Sequence, residues 1–275
     1  LPSINTIRRN ILYLYLGEIV LRTKGKHQLT GYAEIYLGRW GKRIMAFTMI
    51  FGNYAALIAY IIGEGQVLSE IFGGQPIMFS LLFFVLAAMI VYLGLKAVGK
   101  SELGMFFVML GIIIILTLIT IPFISINNFT SFELSKVFLP YGVVFFAFLG
   151  AVAIPEMREG LVRNEKLLKR CILIGGIIPI AIYIIFTTIV VGVTGASTTE
   201  VATIGLGESI GKYVIVIGNI FAFFTMATSF LSLGLALKEM YNYDYKINIH
   251  WAWALTVFVP LLLVLSNITT FIKAI

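Results

Sequence analysis

Seven apolar segments without a single Asp, Lys or Arg constrain this chain more than any other feature of its sequence. A helix needs about 20 apolar residues to cross roughly 30 Å of hydrocarbon, and each segment approaches or exceeds that length. Because backbone polar groups must be paired inside lipid, we predict that the segments are α-helices. They are Ile44–Gly63, Ile77–Leu95, Leu103–Ile121, Phe138–Ile154, Ile172–Thr194, Tyr213–Leu237 and Ile249–Leu265. The sequence therefore predicts an all-α integral membrane protein.

The charged residues follow a pattern that predicts orientation. Hydrophobic residues make up 60% of the chain and charged residues only 12%, which is too apolar for a soluble domain. Lys and Arg number six in residues 22–43, two in 96–102, five in 155–171 and two in 238–248, whereas each intervening connection contains one or none. This alternation predicts that the four basic connections are cytoplasmic. The net charge of +7 thus indicates a lipid bilayer as the environment and no nucleic acid partner.

The two ends of the chain do not fit this alternation. Ile11–Leu21 is apolar but too short to span, and basic residues lie on both sides of it. Because so short a segment cannot leave the membrane and return, we expect residues to be absent between Asn10 and Ile11. At the other end, residues 267–275 resemble the first turns of another span. We predict one transmembrane domain over residues 1–275, with residues missing at that junction and after 275.

Signatures of soluble enzymes are missing from the sequence. There is no HExxH, Walker A loop, GxSxG or CxxC motif. His27 and His250 lie in or beside predicted cytoplasmic connections, and the single cysteine, Cys171, allows no internal disulfide. We predict no catalytic residues, no enzymatic activity and no cofactor other than a coupling ion.

One predicted span is interrupted by helix-breaking residues. Pro140 and Gly142 open it, Gly150 lies near its centre, and Pro155 closes it. Non-helical backbone in a bilayer is tolerated where it is buried in protein or lines a cavity. In secondary transporters, broken helices of this kind supply backbone groups that bind substrate near the midplane. A kinked, glycine-rich packing helix is the alternative, and this segment alone does not decide between the two.

Three hydroxyl residues share one helical face within a later span. Thr225, Thr228 and Ser229 have the spacing i, i+3, i+4, which brings their side chains together. Their oxygens suit a small hard cation. The alternative is that the hydroxyls hydrogen-bond to the preceding turn or hold helices together.

Other polar residues are also candidates for a site inside the membrane. Glu18 lies in the short apolar segment, where a carboxylate is a candidate for proton coupling, although a salt bridge with Arg22 would explain it equally. Asn53 and Tyr54 form a polar pair in the first complete span. This pair could line a substrate site or make an ordinary interhelical hydrogen bond.

The chain resembles amino acid permeases, and the resemblance extends over nearly its whole length. Phe146-Ala147-Phe148-Leu149-Gly150, followed by Ile154-Pro155-Glu156-Met157, is similar to the sixth helix of these proteins. Leu16-Gly17-Glu18 and Leu37–Lys42 resemble the second helix and first cytoplasmic loop. The likeness is to the amino acid/auxin permease branch of the amino acid–polyamine–organocation superfamily.

The resemblance implies a fold and a site. It implies two inverted five-helix repeats, of which helix one and most of helix ten are absent here. The carbonyls of residues 146–150 would bind the substrate ammonium, and Phe146 and Phe148 would wall the side-chain pocket or form a gate. A carbonyl of Thr225 and the hydroxyls of Thr228 and Ser229 would bind sodium. The lysine that some proton-coupled relatives place in helix five is absent from Leu103–Ile121.

These observations lead to one prediction of function. We expect a multi-pass transporter of the plasma or inner membrane that imports an amino acid with a cation by alternating access, with sodium favoured over the proton. The alternatives are a proton-coupled permease for another small organic solute and a membrane channel.

Overall fold

The computed structural model describes residues 2–129, 150–161, 164–199 and 202–266, with residues 2–11 described as backbone only. Helices account for most of the described chain, and no β-strand occurs in these ranges. The α-helices are α1 (Pro2–Arg22), α2 (Leu29–Phe72), α3 (Pro76–Leu93), α4 (Leu95–Thr120), α5 (Ala153–Gly160), α6 (Leu168–Thr194), α7 (Ala202–Ile210), α8 (Lys212–Glu239) and α9 (Ile249–Leu265). A π-helical turn, Met240–Asp244, extends α8.

Five helical segments are long and apolar enough to cross a membrane, and they confirm the predicted all-α membrane class. They are Leu29–Phe72, Pro76–Leu93, Leu95–Phe123, Glu165–Ser197 and Lys212–Asp244. The apolar helix α9 is shorter, at 17 residues. Most of the predicted span Phe138–Ile154 lies outside the described residues.

The first complete span is much longer than its apolar core predicts. Helix α2 comprises 44 residues, beginning at Leu29 rather than Ile44 and ending at Phe72 rather than Gly63. Gly38 divides it with a φ of 73° and a ψ of −167°, a backbone conformation that side chains with a Cβ rarely adopt. The basic residues before Ile44 and the polar residues after Gly63 are therefore helical, because helical hydrogen bonding does not stop where the apolar composition does.

The structure shows no break in the chain near Asn10, contrary to what the absence of residues there would predict. Helix α1 runs unbroken from Pro2 to Arg22, so a complete helix precedes α2. Backbone N–H groups around Asn10 and Ile11 bond to the carbonyl four residues earlier, as in any α-helix. This bonding does not depend on the hydropathy of the residues on either side. The expectation that residues are absent at this junction concerns the sequence itself, and it stays a prediction.

A carboxylate from a distant helix end stabilises the beginning of α2. The N-cap, Gln28, makes no side-chain cap. Instead the buried carboxylate of Asp244 accepts from the backbone N–H groups of Gln28, at 3.2 Å, and Gly31, at 2.8 Å, and from the hydroxyl of Thr30. A negative charge at a helix N-terminus pairs the free N–H groups and opposes the helix dipole. This contact fixes the start of α2 against the end of α8.

The largest hydrophobic core joins α2, α3, α8 and α9, which we call the four-helix body. Leu57, Ile61, Phe230 and Leu235 are almost fully buried within it. The rings of Phe83 and Phe230 pack edge to face, with centroids 5.3 Å apart. Helices in a bilayer are held together by close packing of this kind rather than by transfer out of water. The body has the largest such core in the described chain.

A second, smaller core joins α1, α5 and α6, which we call the three-helix group. Val20, Ile154, Leu168 and Ile172 are buried there, together with Tyr32 from the start of α2. A third cluster packs α4, α6, α7 and α8 together at the other end of the helices. The described chain thus contains three packed clusters, of which the core of the four-helix body is the largest.

Candidate substrate and cation site

A cavity of about 750 Å³ lies where α2, α4 and α8 meet the segment before α5. Cavities of roughly 300–1,000 Å³ suit small-molecule ligands. Met45 and Met49 of α2, Phe106 and Met109 of α4 and Leu233 of α8 give it apolar walls. Polar side chains from α2, α4, α6 and α8 also line the cavity. These side chains determine which ligands it could bind.

The hydroxyl face of α8 lies against this cavity. Thr228 and Ser229 line it, whereas Thr225 is not among the lining residues. The hydroxyls of Thr228 and Ser229 both donate to the Thr225 carbonyl oxygen, at 3.0 and 2.8 Å, and the Thr225 hydroxyl donates to the Ala222 carbonyl at 2.9 Å. The bonds to the preceding turn that the sequence leaves open are therefore present. A donating hydroxyl keeps its lone pairs, so the oxygens of Thr228 and Ser229 can still accept a hydrogen bond or ligate a cation.

Asn53 and Tyr54 go to different places although they are neighbours in sequence. Asn53 is 7% exposed and lines the cavity, and its Nδ2 has no hydrogen-bond partner among the residues that the structure describes. The Tyr54 hydroxyl lies 3.0 Å from the hydroxyl of Tyr241 and donates to the Leu255 carbonyl, also at 3.0 Å. Adjacent helical residues point about 100° apart. Asn53 therefore faces the cavity, and Tyr54 joins α2 to α8 and α9.

The predicted broken helix is described only from Gly150 onward, so the break itself stays a prediction. Gly150 is non-helical, residues 151–152 form a turn, and α5 begins only at Ala153. Gly150 lines the cavity, and its backbone N–H donates to the Tyr13 hydroxyl at 2.9 Å. A Cβ added to Gly150 would meet open space. Phe146, Ala147, Phe148 and Leu149, the other predicted substrate contacts, lie outside the described residues.

Glu18 lies apart from the cavity. Its side chain is 54% exposed and accepts from Arg22 Nε at 2.6 Å, one turn along α1. It lines a separate pocket of about 320 Å³ with Gly17 and Leu168. The structure therefore shows the salt bridge that the sequence leaves open as the alternative to proton coupling.

Glu102 and Ser232 line the cavity and were missed by sequence reasoning. The Ser232 hydroxyl donates to the Glu102 carboxylate. Glu102 follows Lys96 and Lys100 in sequence, which places it in a predicted loop, whereas α4 is helical from Leu95 onward. Ser232 could have been found, because it is four residues after Thr228 and therefore shares its helical face.

Charged residues connect the three-helix group with the end of α8 at another pocket, of about 120 Å³. Glu159 of α5 accepts from Lys26 and, at 3.2 Å, from the hydroxyl of Tyr243 beyond α8. Arg158 Nη1 donates to the Gly25 carbonyl at 3.0 Å. The described residues contain no group of three or more His, Cys, Asp or Glu side chains arranged to bind a metal.

The fold and the cavity define an all-α membrane protein with the architecture of a transporter. A model of the tryptophan/tyrosine permease family matches residues 10–275. The chain therefore belongs to the tryptophan/tyrosine permease family, which confirms the amino acid permease part of the predicted resemblance.

Two curated proteins are similar to this chain. Tyrosine-specific transport system 1 of Haemophilus influenzae is 30% identical over 227 residues, which cover 75% of this chain and 56% of that protein. Glutamine transporter 2 of Aliivibrio fischeri is 23% identical over 249 residues, which cover 84% of this chain and 64% of that protein. The chain thus spans less than two thirds of the length of either relative. No solved structure matches the chain.

Proposed function

We propose that the protein is a secondary active transporter that moves an amino acid across the plasma or inner membrane by alternating access, coupled to a cation. The observation that carries the proposal is the central cavity, which contains an unpaired polar atom of Asn53 and the broken start of α5. Family membership and the names of the two relatives support an amino acid as the substrate. We assign the fold to the inverted five-helix repeats of the amino acid/auxin permease branch.

Asn53 is the side chain that we assign to the substrate. An unpaired buried amide N–H costs about 1–3 kcal/mol, and a substrate carboxylate would accept from it. The backbone carbonyls of Phe146, Ala147, Phe148, Leu149 and Gly150 would take the substrate ammonium, as the family resemblance implies. The open space at Gly150 leaves room for the ligand beside the backbone.

Sodium is the coupling ion that the oxygen cluster on α8 favours. The Thr225 carbonyl and the hydroxyls of Thr228 and Ser229 lie within hydrogen-bonding distance, and the two hydroxyl residues reach the cavity. Neutral oxygen ligands suit a hard cation. No lysine occurs in α4 beyond Lys100 to act as a proton carrier in helix five.

Substrate recognition is tested in proteoliposomes with labelled tyrosine and glutamine. Asn53→Ala removes the unpaired donor, and we expect the substrate concentration for half-maximal uptake to rise about tenfold, because a lost hydrogen bond to a charged group costs about 1.5–3 kcal/mol. Tyr54→Phe is the matched control, since its hydroxyl joins helices, and we expect a change below about twofold. Equal effects of the two substitutions would contradict the assignment. Uptake that does not saturate with substrate would indicate the channel alternative.

Sodium coupling is tested within one helical turn of α8. Thr228→Ala and Ser229→Ala each remove a ligand oxygen, and we expect the sodium concentration for half-maximal uptake to rise about tenfold. Thr225→Ala keeps the carbonyl and removes only a hydroxyl that bonds to Ala222, so it serves as the control. Full uptake on a proton gradient without sodium, unchanged by all three substitutions, would contradict the sodium assignment.

A further inference from the structure

Glu102 is a carboxylate on the wall of the central cavity. It lies in α4, two turns after the helix begins at Leu95, and is partly buried there. An acidic residue inside a membrane-spanning helix is costly and is retained mainly for a functional reason. The apolar residues that follow it, including Phe106 and Met109, continue the same cavity wall.

The charge of Glu102 is not neutralised by a basic side chain in the described part of the chain. It takes part in none of the ion pairs there, and its described hydrogen-bond donor is the neutral hydroxyl of Ser232. The nearest lysine along α8, Lys238, instead donates to the Val91 carbonyl at 2.6 Å. A carboxylate in this position needs a cation from outside the protein, or a proton, to offset its charge.

Neutral hydroxyl oxygens line the same cavity as this carboxylate. Ser232 follows Thr228 by four residues and Ser229 by three, so the three hydroxyls form one row along α8 and all line the cavity. The row ends at the Glu102 carboxylate through the Ser232 hydrogen bond. One anionic and several neutral oxygens are the donor set that a small monovalent cation requires.

A second buried carboxylate lies close enough to interact with the first. Glu156 of α5 is 8% exposed, and its Oε1 has no hydrogen-bond partner among the described residues. The charges of Glu102, Glu159 and Glu239 all act on it. Glu159 and Glu239 line the smaller pocket beside exposed Lys26. Glu156 therefore lies near carboxyl groups that line both pockets.

We propose that Glu102 is the carboxylate that the coupling cation neutralises, within a site completed by the hydroxyls of Ser232, Ser229 and Thr228. This inference rests on the proposed transport function and names the charged group of the same site. A sodium ion and a proton both supply the required positive charge. Binding of either one removes the uncompensated charge from the cavity, so that the loaded carrier can close around its substrate.

The test uses the full-length protein in proteoliposomes, with three measurements on each variant. The first is counterflow exchange of labelled tyrosine or glutamine without any ion gradient. The second is concentrative uptake on an inward sodium gradient at equal pH, and the third is uptake on an inward proton gradient without sodium. Glu102→Gln keeps the shape and removes the charge, Glu102→Asp keeps the charge, and Glu70→Gln is the control, because Glu70 bonds to Asn219 and is absent from the cavity lining.

We expect Glu102→Gln to lose concentrative uptake by tenfold or more on whichever gradient drives the wild type, and to keep counterflow within about twofold. Glu102→Asp should recover part of the concentrative uptake, and Glu70→Gln should match the wild type. The gradient that the wild type uses distinguishes a sodium ligand from a proton acceptor. Undiminished concentrative uptake by Glu102→Gln overturns the proposal, and so does loss of counterflow together with concentrative uptake in a folded variant. Failure of the wild type to exchange any amino acid would instead refute the proposed function.

Discussion

The four-helix body and the three-helix group are both helical and apolar, but they are stabilised differently. The body has a continuous core in which Phe230, Leu231 and Leu235 are almost fully buried. The group has a small core bordered by a surface pocket and the short α5. The two regions meet through Tyr32 of α2, which is buried in the core of the group, and through the polar contacts of Glu159 with Lys26 and Tyr243. Closely packed apolar cores are rigid, whereas exposed ion pairs are weak. We therefore expect the body to be the more stable of the two regions.

We expect the largest change in stability from two leucine-to-alanine substitutions, one in the four-helix body and one in the three-helix group. Leu235 of the body and Leu168 of the group are both fully buried. We expect Leu235→Ala to lower the free energy of unfolding by about 4–5 kcal/mol and Leu168→Ala by about 2–3 kcal/mol, because Leu168 adjoins a pocket where packing partners are already lacking. Thermal unfolding in detergent measures both. If Leu168→Ala lowered the free energy of unfolding as much as Leu235→Ala, the two regions would not differ in packing as we infer.

At Glu156 of α5, we expect a change in the free energy of unfolding that is intermediate in size and depends on pH. Burial, and then the charges of Glu239, Glu102 and Glu159, raise the pKa of Glu156 well above its ordinary value of 4.5. The folded state therefore holds this proton more tightly than the unfolded chain, and its stabilising contribution is lost as the pH rises above that ordinary value. We expect Glu156→Gln to be more stable than the wild type at pH 8 by about 1–3 kcal/mol, and to differ little at pH 5.

The measurement at Glu156 is the difference in unfolding midpoint between wild type and variant from pH 5 to pH 8. Using the difference cancels the titration of other groups. Glu165→Gln is the control, because Glu165 is 45% exposed and lies 3.5 Å from Arg158. A difference that is constant with pH, or that favours the wild type at pH 8, would show that Glu156 ionises normally.

The smallest effect is expected where the two regions meet. Glu159→Gln removes the ion pair with Lys26, whose side chain is 59% exposed, so the loss of stability should be only about 0.2–1 kcal/mol. We nevertheless expect faster amide hydrogen exchange in α5, because Glu159 bonds this helix to Tyr243 beyond α8. Exchange in α2, α3 and α8 should stay unchanged. Equal acceleration in α8 would mean that the two regions do not open separately.

Hydropathy predicted the membrane class and most span positions correctly, because length and apolar composition are properties of each segment alone. The same local reasoning predicted a break near Gly150, since Pro and Gly disfavour a helix. It stays a prediction, because residues 130–149 lie outside the described chain. The boundaries were predicted poorly. Residues 29–43 are polar and basic, yet they are helical in α2, whose first turn is capped by Asp244 from the end of α8. No local pattern around Gln28 indicates that contact.

The candidate site also shows which features local sequence predicts and which depend on the packing of distant helices. The spacing of Thr225, Thr228 and Ser229 correctly predicted a shared helical face, because 3.6 residues per turn is a property of every α-helix. Asn53 and Tyr54 could not be separated by sequence, since only the position of the neighbouring helices decides which side chain meets the cavity.

The sequence by itself determined that this chain is a helical membrane protein of the permease type, with a broken helix and a row of hydroxyls. Those features follow from composition and local spacing. Only the tertiary structure decided that Glu102 lines the cavity and that Glu156 is buried near other carboxylates. The physical reason is that burial and charge pairing depend on residues far apart in sequence, such as Glu102 and Ser232, which meet only when α4 packs against α8.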